Sequence, residues 1–197
     1  MDPLDLVTFW FGPDDDSDIS ARSPSWFRVD PAFDATLRER FGAWLLPAGS
    51  GGLRDWEGAP ASALALTLTL DQLPRNLHRG TPSAFLYDAA ALAVARRAIG
   101  RGYDRRLSPP RRAFLYLPFM HSEERATHAE SLALYEGLAV AARGGPWEAM
   151  TANNLTYAIR HAEIVDRFGR YPHRNAALGR ASTDEEARFL TQPGSGF

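Results

Sequence analysis

Helix start signals recur along the whole chain and constrain its fold more than any other feature of the sequence. Four of the places where a helix-capping residue directly precedes a proline mark expected helix starts: Asp2-Pro3, Asp30-Pro31, Thr81-Pro82 and Ser108-Pro109. Proline is tolerated at the first helical position because its missing N–H would have no partner there anyway. With the glycines that follow the apolar stretches, these signals predict seven or eight helices with short connections. We therefore expect one all-α domain over residues 1–197, built of stacked antiparallel helical hairpins.

One stretch, residues 64–70, is ambiguous between a strand and a helix. Its sequence, Leu-Ala-Leu-Thr-Leu-Thr-Leu, alternates as a strand does, but it lacks Val and Ile and is rich in Leu and Ala. We predict a buried helix, because the chain offers no partner strand and a lone strand cannot satisfy its backbone. We expect this helix to end at Pro74.

Other boundaries follow from local signals. Long helices are predicted from Ser122 to Gly144 and from Trp147 to Gly169, where glycine can adopt the left-handed conformation. The acidic, turn-rich residues 13–25 predict a mobile loop. Residues 182–185, Ser-Thr-Asp-Glu, have the spacing of a capping box before a last short helix.

The composition excludes several kinds of chemistry. The chain has no cysteine and no lysine, and it has 22 arginines. Disulfides, thiolate nucleophiles, cysteine-bound zinc, Schiff-base catalysis and a P-loop are therefore excluded. The net charge of −2 gives no reason to expect nucleic acid or an anionic membrane as a partner. Since no signal peptide or long apolar run is present, we expect a cytoplasmic protein.

The first of three polar blocks lies at the expected end of the buried helix. It contains Asp71, Gln72, Arg75, Asn76 and Arg79. Its arginines could bond the last carbonyls of the helix, or they could bind the carboxylate or phosphate of a ligand in a bidentate way.

The second block contains two histidines and two glutamates. Glu124 and His128 are four residues apart and share a helical face, so they could share a proton or a metal ion, or form an ordinary ion pair. His121 and Glu123 precede them.

The third block follows the helix that ends at Gly169. It contains four arginines and a histidine within fourteen residues, with one asparagine: Arg167, Arg170, His173, Arg174, Asn175 and Arg180. Part of this charge complements the negative end of the helix, and the remainder requires either acidic partners within the fold or an anionic ligand. Upstream, His161 shares an apolar face and is expected to point toward the core.

These blocks also carry a resemblance to a known family. Asp-Gln-x-Pro-Arg-Asn, Leu-Pro-Phe-Met-His-Ser-Glu and Arg-Phe-Gly-Arg-Tyr-Pro-His-Arg-Asn, with Phe-Trp-Phe-Gly near the start, resemble the bacterial family called domain of unknown function 924. The resemblance covers nearly the whole chain. It implies an all-α fold similar to tetratricopeptide arrangements and implies no activity. Where many relatives have glutamine this chain has His128, which slightly favours metal binding here.

The first functional hypothesis is a binding module. A cleft lined by arginine and histidine would hold an anionic small molecule or an acidic peptide group, because guanidinium groups give orientation as well as charge. The candidate binding residues are Asp71, Gln72, Arg75, Asn76, Arg79, His161, Arg167, Arg170, Arg174 and Asn175.

Two further hypotheses stay open. An enzyme would use His121 or His173 as general acid–base, oriented by Glu123 or Glu124, with a metal-assisted variant in which histidines and a glutamate bind zinc or iron. Alternatively, the arginines and histidines only join helices, and function lies in a partner-binding surface. The sequence leaves the cofactor and the oligomeric state open.

Overall fold

The computed structural model of the chain describes residues 1–13 and 16–196. Within them lie nine α-helices of seven or more residues, one five-residue helix, and no strand, so the expected all-α class is confirmed with slightly more helices than predicted. The helices are α1 (Pro3–Phe11), α2 (Ile19–Trp26), α3 (Pro31–Phe41), α4 (Leu45–Gly49), α5 (Pro60–Leu77), α6 (Asp88–Gly100), α7 (Pro109–His121), α8 (Arg125–Ala141), α9 (Glu148–Phe168) and α10 (Asp184–Leu190). The likeness to tetratricopeptide arrangements stays a prediction.

The helix start and stop signals act as expected at several ends. The Asp2 carboxylate accepts from the backbone N–H of Leu4, and the Asp30 carboxylate accepts from two N–H groups of the first turn of α3. These bonds satisfy donors that have no partner inside the helix. Gly169 ends α9 with a φ of 69°, a conformation that favours glycine.

Residues 64–70 lie in the middle of α5, which confirms the predicted helix. Leu64 and Leu68 are completely buried, because α5 contacts α1, α3, α6 and α7. Residues 64–70 are all buried, so this part of the helix has no solvent-facing side, which explains why its sequence shows no helical period.

The expected end of α5 at Pro74 is wrong, since the helix continues to Leu77. A proline removes one hydrogen bond from a helix but does not forbid continuation where the surroundings hold the next turn. Here Asn76 donates to the Asp34 carboxylate at 2.8 Å, and Arg38 donates to the Leu77 carbonyl at 2.5 Å. Both contacts come from α3, so tertiary structure extends the helix.

The loop predicted for residues 13–25 is also wrong in part, because α2 occupies Ile19–Trp26. Ile19 and Trp26 are buried, and the Trp26 indole donates to the Trp10 carbonyl at 3.0 Å. Burial against α1 thus compensates for a local sequence of low helix propensity. Residues 14 and 15 of that stretch lie outside the described residues.

The capping box of α10 is one residue later than predicted. Thr183 and Glu186 form it reciprocally, whereas the Ser182 hydroxyl accepts a hydrogen bond from the Asn175 side chain. Two registers of the motif are possible in this sequence, and the contact of Ser182 with Asn175 selects the second.

Four chain segments come together at one end of the molecule. They are the last turns of α5, the start of α6, the end of α7 and the residues after α9, and the antiparallel pair α8–α9 packs beside them. This convergence places the polar blocks near one another. In the described part of the chain, no helix combines the length and the hydropathy that crossing a bilayer requires.

Candidate functional site

A buried carboxylate holds the histidine of the second block. Asp71, on α5, is 1% exposed, and its Oδ1 lies 2.7 Å from Nδ1 of His121, the last residue of α7. Its other oxygen accepts from the Gln72 amide at 2.6 Å. Because an ionised carboxylate only accepts, Nδ1 of His121 carries the proton and Nε2 presents a lone pair. No described residue hydrogen-bonds to that Nε2, and the side chain keeps 13% of its surface exposed.

Arg75 joins Asp71 to the beginning of α6. Its Nη1 and Nη2 each donate to Asp88 at 2.9 Å, which is a bidentate pair. Nη1 also donates to the Asp71 carbonyl at 2.7 Å and lies 3.3 Å from the Asp71 carboxylate. One guanidinium therefore fixes two carboxylates from different helices relative to each other.

Arg174, which follows α9, lies against the same carboxylate. Its Nη1 donates to Oδ2 of Asp88 at 3.3 Å, and its Nε is buried with no acceptor among the described residues. The guanidinium carbon lies 4.7 Å from the Phe85 ring centre and 4.5 Å from that of Tyr171. Two aromatic rings hold the plane of this group, while most of its donors have no described acceptor.

Aromatic contacts close the arrangement into a ring. The Tyr171 ring lies 5.5 Å from that of His161, which lies 6.4 Å from that of His121. We call the closed set the polar ring: Asp71, Arg75, Asp88, Arg174, Tyr171, His161 and His121. Residues from all three sequence blocks belong to it.

The charges around the polar ring set the protonation of its central pair. Burial lowers the pKa of His121, and Arg75 lowers it further, against the opposing effect of Asp71. Burial acts to raise the pKa of Asp71, but Arg75 and His121 outweigh it and hold the pKa well below its usual value. At neutral pH the pair is therefore a carboxylate and a neutral imidazole.

The other histidines of the blocks are held by the fold. Nδ1 of His161 donates to the Tyr157 carbonyl at 2.7 Å, and Nε2 of His128 donates to the Ser122 carbonyl at 2.8 Å. Burial is the main reason why the pKa of His161 falls to about 2 and that of His173 to about 4. His161, His128 and His173 are therefore neutral at pH 7, and backbone carbonyls fix His161 and His128 in place.

Glu124 does not hydrogen-bond to any of its predicted partners, which are His121, His128 and His173. It precedes α8 and is exposed, and its carboxylate accepts from the Thr127 hydroxyl at 3.3 Å. The carboxylate that orients His121 is Asp71, and the neighbouring Glu123 instead accepts from Arg180 at 2.6 Å and from the Tyr171 backbone at 2.8 Å. Sequence reasoning takes the acid from the residues next to His121 in the chain, whereas the fold supplies it from α5.

Two binding residues of the first block lie away from the polar ring. Asn76 and Arg79 both donate to Asp34 on α3, Arg79 through two nitrogens at 2.8 and 3.0 Å. They hold the end of α5 and the turn that follows it to α3, and they are separate from the Arg75–Asp88 pair.

Of the two alternatives for the charge of the third block, the structure provides acidic partners within the fold. Each of its arginines has a carboxylate: Arg167 has Glu185 at 2.8 Å, Arg170 has Glu186 at 2.6 Å, Arg174 has Asp88 at 3.3 Å, and Arg180 has Glu123 at 2.6 Å. The acids come from α6, α10 and the turn before α8, so only the fold reveals them. Asn175, which is buried, donates to Ser182 and belongs to the Arg170–Glu186 contacts.

The described residues contain no ligand set for a metal. Across residues 1–13 and 16–196, no three His, Asp or Glu side chains are grouped so that they could hold a metal ion. The metal-assisted variant of the enzyme hypothesis therefore finds no support in this part of the chain.

Two shallow cavities lie elsewhere. One, of about 380 Å³, lies between α8 and α9 beside Glu136, Val140 and Leu155, and the other, of about 560 Å³, lies beside Arg54 and Arg97. Neither contains a residue of the polar ring. A ligand of the ring would reach it through its partly exposed edge, which Arg75, Asp88 and His121 form.

Sequence reasoning misses three important residues of this site, which are Asp88, Phe85 and Tyr171. Asp88 stands in an apolar stretch without polar neighbours, and an aromatic side chain in a sequence is typical of a core. An acid in the first turn of a helix is the only signal that marks Asp88.

Comparison with known proteins agrees with the resemblance carried by the sequence blocks. The family described as bacterial protein of unknown function (DUF924) matches residues 6–194. The chain belongs to this family. The resemblance seen in the sequence is thereby confirmed.

A solved structure is similar to this DUF924 protein along nearly its whole length. It is that of a protein of unknown function, ATU0120, from Agrobacterium tumefaciens, with 38% sequence identity and a TM-score of 0.81. The match covers 95% of this chain and 96% of the other. No curated protein matches.

Proposed function

We propose that this protein binds a small anionic molecule at the polar ring, through Arg174 and through His121 of the same ring. The observation that carries the proposal is the state of Arg174. Its side chain is only 7% exposed, it makes one hydrogen bond of 3.3 Å to a described residue, and its Nε has no acceptor among them.

Burying such a guanidinium group is unfavourable unless another group accepts its hydrogen bonds. A buried charge without close partners is unfavourable by several kcal/mol or more, in order-of-magnitude terms. Asp88 compensates it only weakly, because both oxygens of that carboxylate already accept from Arg75 at 2.9 Å. Burial and Arg75 both lower the pKa of Arg174, as expected for an incompletely compensated cation.

The other arginines of the blocks differ in this respect. Arg170 donates twice to Glu186, at 2.6 and 2.8 Å, and Arg180 donates twice to Glu123, at 2.6 and 2.9 Å. These guanidinium groups have close carboxylates and need no ligand. Arg174 is also fixed in orientation by Phe85 and Tyr171, so binding would cost little side-chain entropy.

The ring as a whole carries no net charge, since Arg75 and Arg174 balance Asp71 and Asp88 while His121 is neutral. Affinity would therefore come from hydrogen bonds of Arg174 to the ligand, each contributing roughly 1.5–3 kcal/mol, rather than from a long-range field. A carboxylate or phosphate group matches the fork of donors that Arg174 presents. An acidic peptide group offers the same chemistry and is a second source of the ligand.

The test is direct binding with matched variants. Phosphate, citrate and a short acidic peptide would be titrated calorimetrically, with thermal unfolding measured alongside, because a ligand of the folded state raises the melting temperature. We expect Arg174→Gln to abolish binding and Arg167→Gln to retain it, since Arg167 has an exposed carboxylate partner outside the ring. Binding that survives Arg174→Gln in a folded protein would refute the proposal.

A second candidate function is general acid–base catalysis, which one observation favours. The 2.7 Å contact with Asp71 fixes the imidazole of His121 and leaves Nε2 as a free base on the exposed edge of the ring. The assay would be hydrolysis of p-nitrophenyl phosphate and p-nitrophenyl acetate. Activity lost in both His121→Ala and Asp71→Ala, but retained in His78→Ala, would support catalysis, whereas activity unchanged in His121→Ala would exclude this histidine.

A further inference from the structure

We infer that the anion bound at the polar ring carries a hydroxyl group beside its negative charge, and that Nε2 of His121 accepts the hydrogen bond from that hydroxyl. The inference rests on the proposed function, because it names the chemical class of the same ligand. It follows from the direction in which each group of the ring can donate or accept.

The first step is the tautomer of His121. Oδ1 of Asp71 lies 2.7 Å from Nδ1, while Oδ2 accepts from Gln72 at 2.6 Å. An ionised carboxylate can only accept hydrogen bonds, so Nδ1 of His121 must donate. In a neutral imidazole the second nitrogen then has only a lone pair to offer.

The second step is the neutrality of that imidazole. The charged and titratable groups that act on it are Asp71 and Arg75 from α5, Asp88 from α6, His128 from α8, His161 from α9, and His173 from the residues that follow α9. Burial and Arg75 disfavour a proton on Nε2, while Asp71 and Asp88 favour one, and the balance lowers the pKa of His121. A ligand at pH 7 therefore meets a hydrogen-bond acceptor at this position.

The third step is the pairing of the two groups around the ring. Contacts run from His121 through Asp71, Arg75 and Asp88 to Arg174 on one side, and return through Tyr171 and His161 on the other. Arg174 supplies donors only, and Nε2 of His121 supplies an acceptor only. A ligand that satisfies both has an acceptor oxyanion and a donor O–H within one small molecule.

This complementarity separates anions that are otherwise alike. Hydrogen phosphate carries an O–H and sulfate does not, and glycolate carries a hydroxyl that acetate lacks. An anion that has only acceptors would place an oxygen against the lone pair of Nε2, which loses a hydrogen bond and adds repulsion. Phosphate groups and hydroxy acids are therefore the class that the ring favours.

The experiment is calorimetric titration of the full chain with these two pairs of probes at pH 7.5. We expect phosphate to bind at least about tenfold more tightly than sulfate, and glycolate more tightly than acetate, because one hydrogen bond to a polar partner changes affinity by about that factor. In His121→Gln the amide can donate as well as accept, so both preferences should fall to within about threefold. His78→Gln is the matched control, since His78 is not part of the polar ring, and it should retain both preferences.

A second measurement uses the wild-type protein, so it does not depend on whether a variant folds. As the pH falls below the pKa of His121, Nε2 gains a proton and becomes a donor, so sulfate should bind more tightly and the preference for phosphate should disappear. Equal affinity for phosphate and sulfate at pH 7.5, in binding that Arg174→Gln abolishes, would overturn this inference and leave the proposed function intact. If none of the four probes binds at millimolar concentration, the proposed function fails and this inference fails with it.

Discussion

Arg75 and Asp88 form a bidentate ion pair, with Nη1 and Nη2 of the arginine each 2.9 Å from a carboxylate oxygen. The pair connects the end of α5 to the beginning of α6, and both side chains are mostly buried. Asp88 also accepts the hydrogen bond from Arg174, so one carboxylate supports two guanidinium groups. The stability of this end of the molecule therefore depends on Asp88.

We predict that Asp88→Asn destabilises the protein by about 2–4 kcal/mol, because it leaves two guanidinium groups beside a neutral amide. Urea unfolding followed by circular dichroism measures the change. Asp166→Asn is the control, since Asp166 and Arg125 are both exposed and such a pair contributes about 0–1 kcal/mol. Equal midpoints for Asp88→Asn and the wild type would show that Asp88 has no such role.

Acid should destabilise the protein at a pH where carboxylates are still ionised. The pKa of His161 is lowered to about 2 and that of His173 to about 4, so both stay neutral in the folded chain while they gain protons in the unfolded chain below about pH 6.5. The unfolded state then binds more protons, and stability falls by up to about 1.4 kcal/mol per pH unit for each histidine. For His173 the loss ends near pH 4, and for His161 it continues to lower pH.

The check is a series of urea unfolding curves between about pH 7 and about pH 5, with His161→Asn compared to the wild type. The variant should lose less stability over this range, because one fewer buried histidine must be kept neutral. Parallel pH profiles for the two proteins would contradict the assignment of this effect to His161.

We expect Arg170 to stabilise the fold and to take no part in anion binding. It donates to both oxygens of Glu186, a nearly completely buried residue of α10, and to the Ala181 carbonyl. Arg170→Glu places two carboxylates together and should lower the urea midpoint clearly more than Arg167→Glu does. Arg167→Glu should cost less than about 1 kcal/mol, since its partner Glu185 is exposed. If the folded Arg170→Glu variant instead keeps its stability and loses anion binding, Arg170 belongs to the site.

The sequence predicts local features of this fold well and tertiary choices poorly. Asp2, Asp30 and Gly169 act within one helical turn, so their roles follow from residue type alone. The continuation of α5 past Pro74 depends on Asp34, which lies 42 residues before its partner Asn76 in the chain. Nothing local to the proline reveals that contact.

The difference between local features, which the sequence predicts, and tertiary contacts, which it does not, also holds for the site. Asp71, His121 and Arg174 are candidates from the sequence because each stands in a conspicuous polar block, and they do belong to one ring of contacts. The carboxylate that both arginines of the ring share is not foreseeable, since Asp88 lies 13 residues from Arg75 and 86 residues from Arg174. Helical spacing relates residues only three or four positions apart in the chain, so these ion pairs become visible only in the folded structure.

The last prediction separates the role of Asp71 from that of the imidazole it holds. Asp71→Asn keeps the shape of the side chain, but an amide has one oxygen, and Gln72 already donates to the oxygen of residue 71 that faces it. The amide nitrogen would then face Nδ1 of His121 and donate to it, which moves the imidazole proton to Nε2. Nη1 of Arg75 lies 3.3 Å from the same position but has closer acceptors in the carbonyl of residue 71 and in Asp88. With Nε2 as a donor, His121 can donate to either anion, so the wild-type preference for phosphate over sulfate should disappear, although no heavy atom of the imidazole has changed. Calorimetric titration with the two anions at pH 7.5 measures this loss, and an unchanged preference for phosphate in a folded Asp71→Asn variant would show that Asp71 does not set the tautomer of His121.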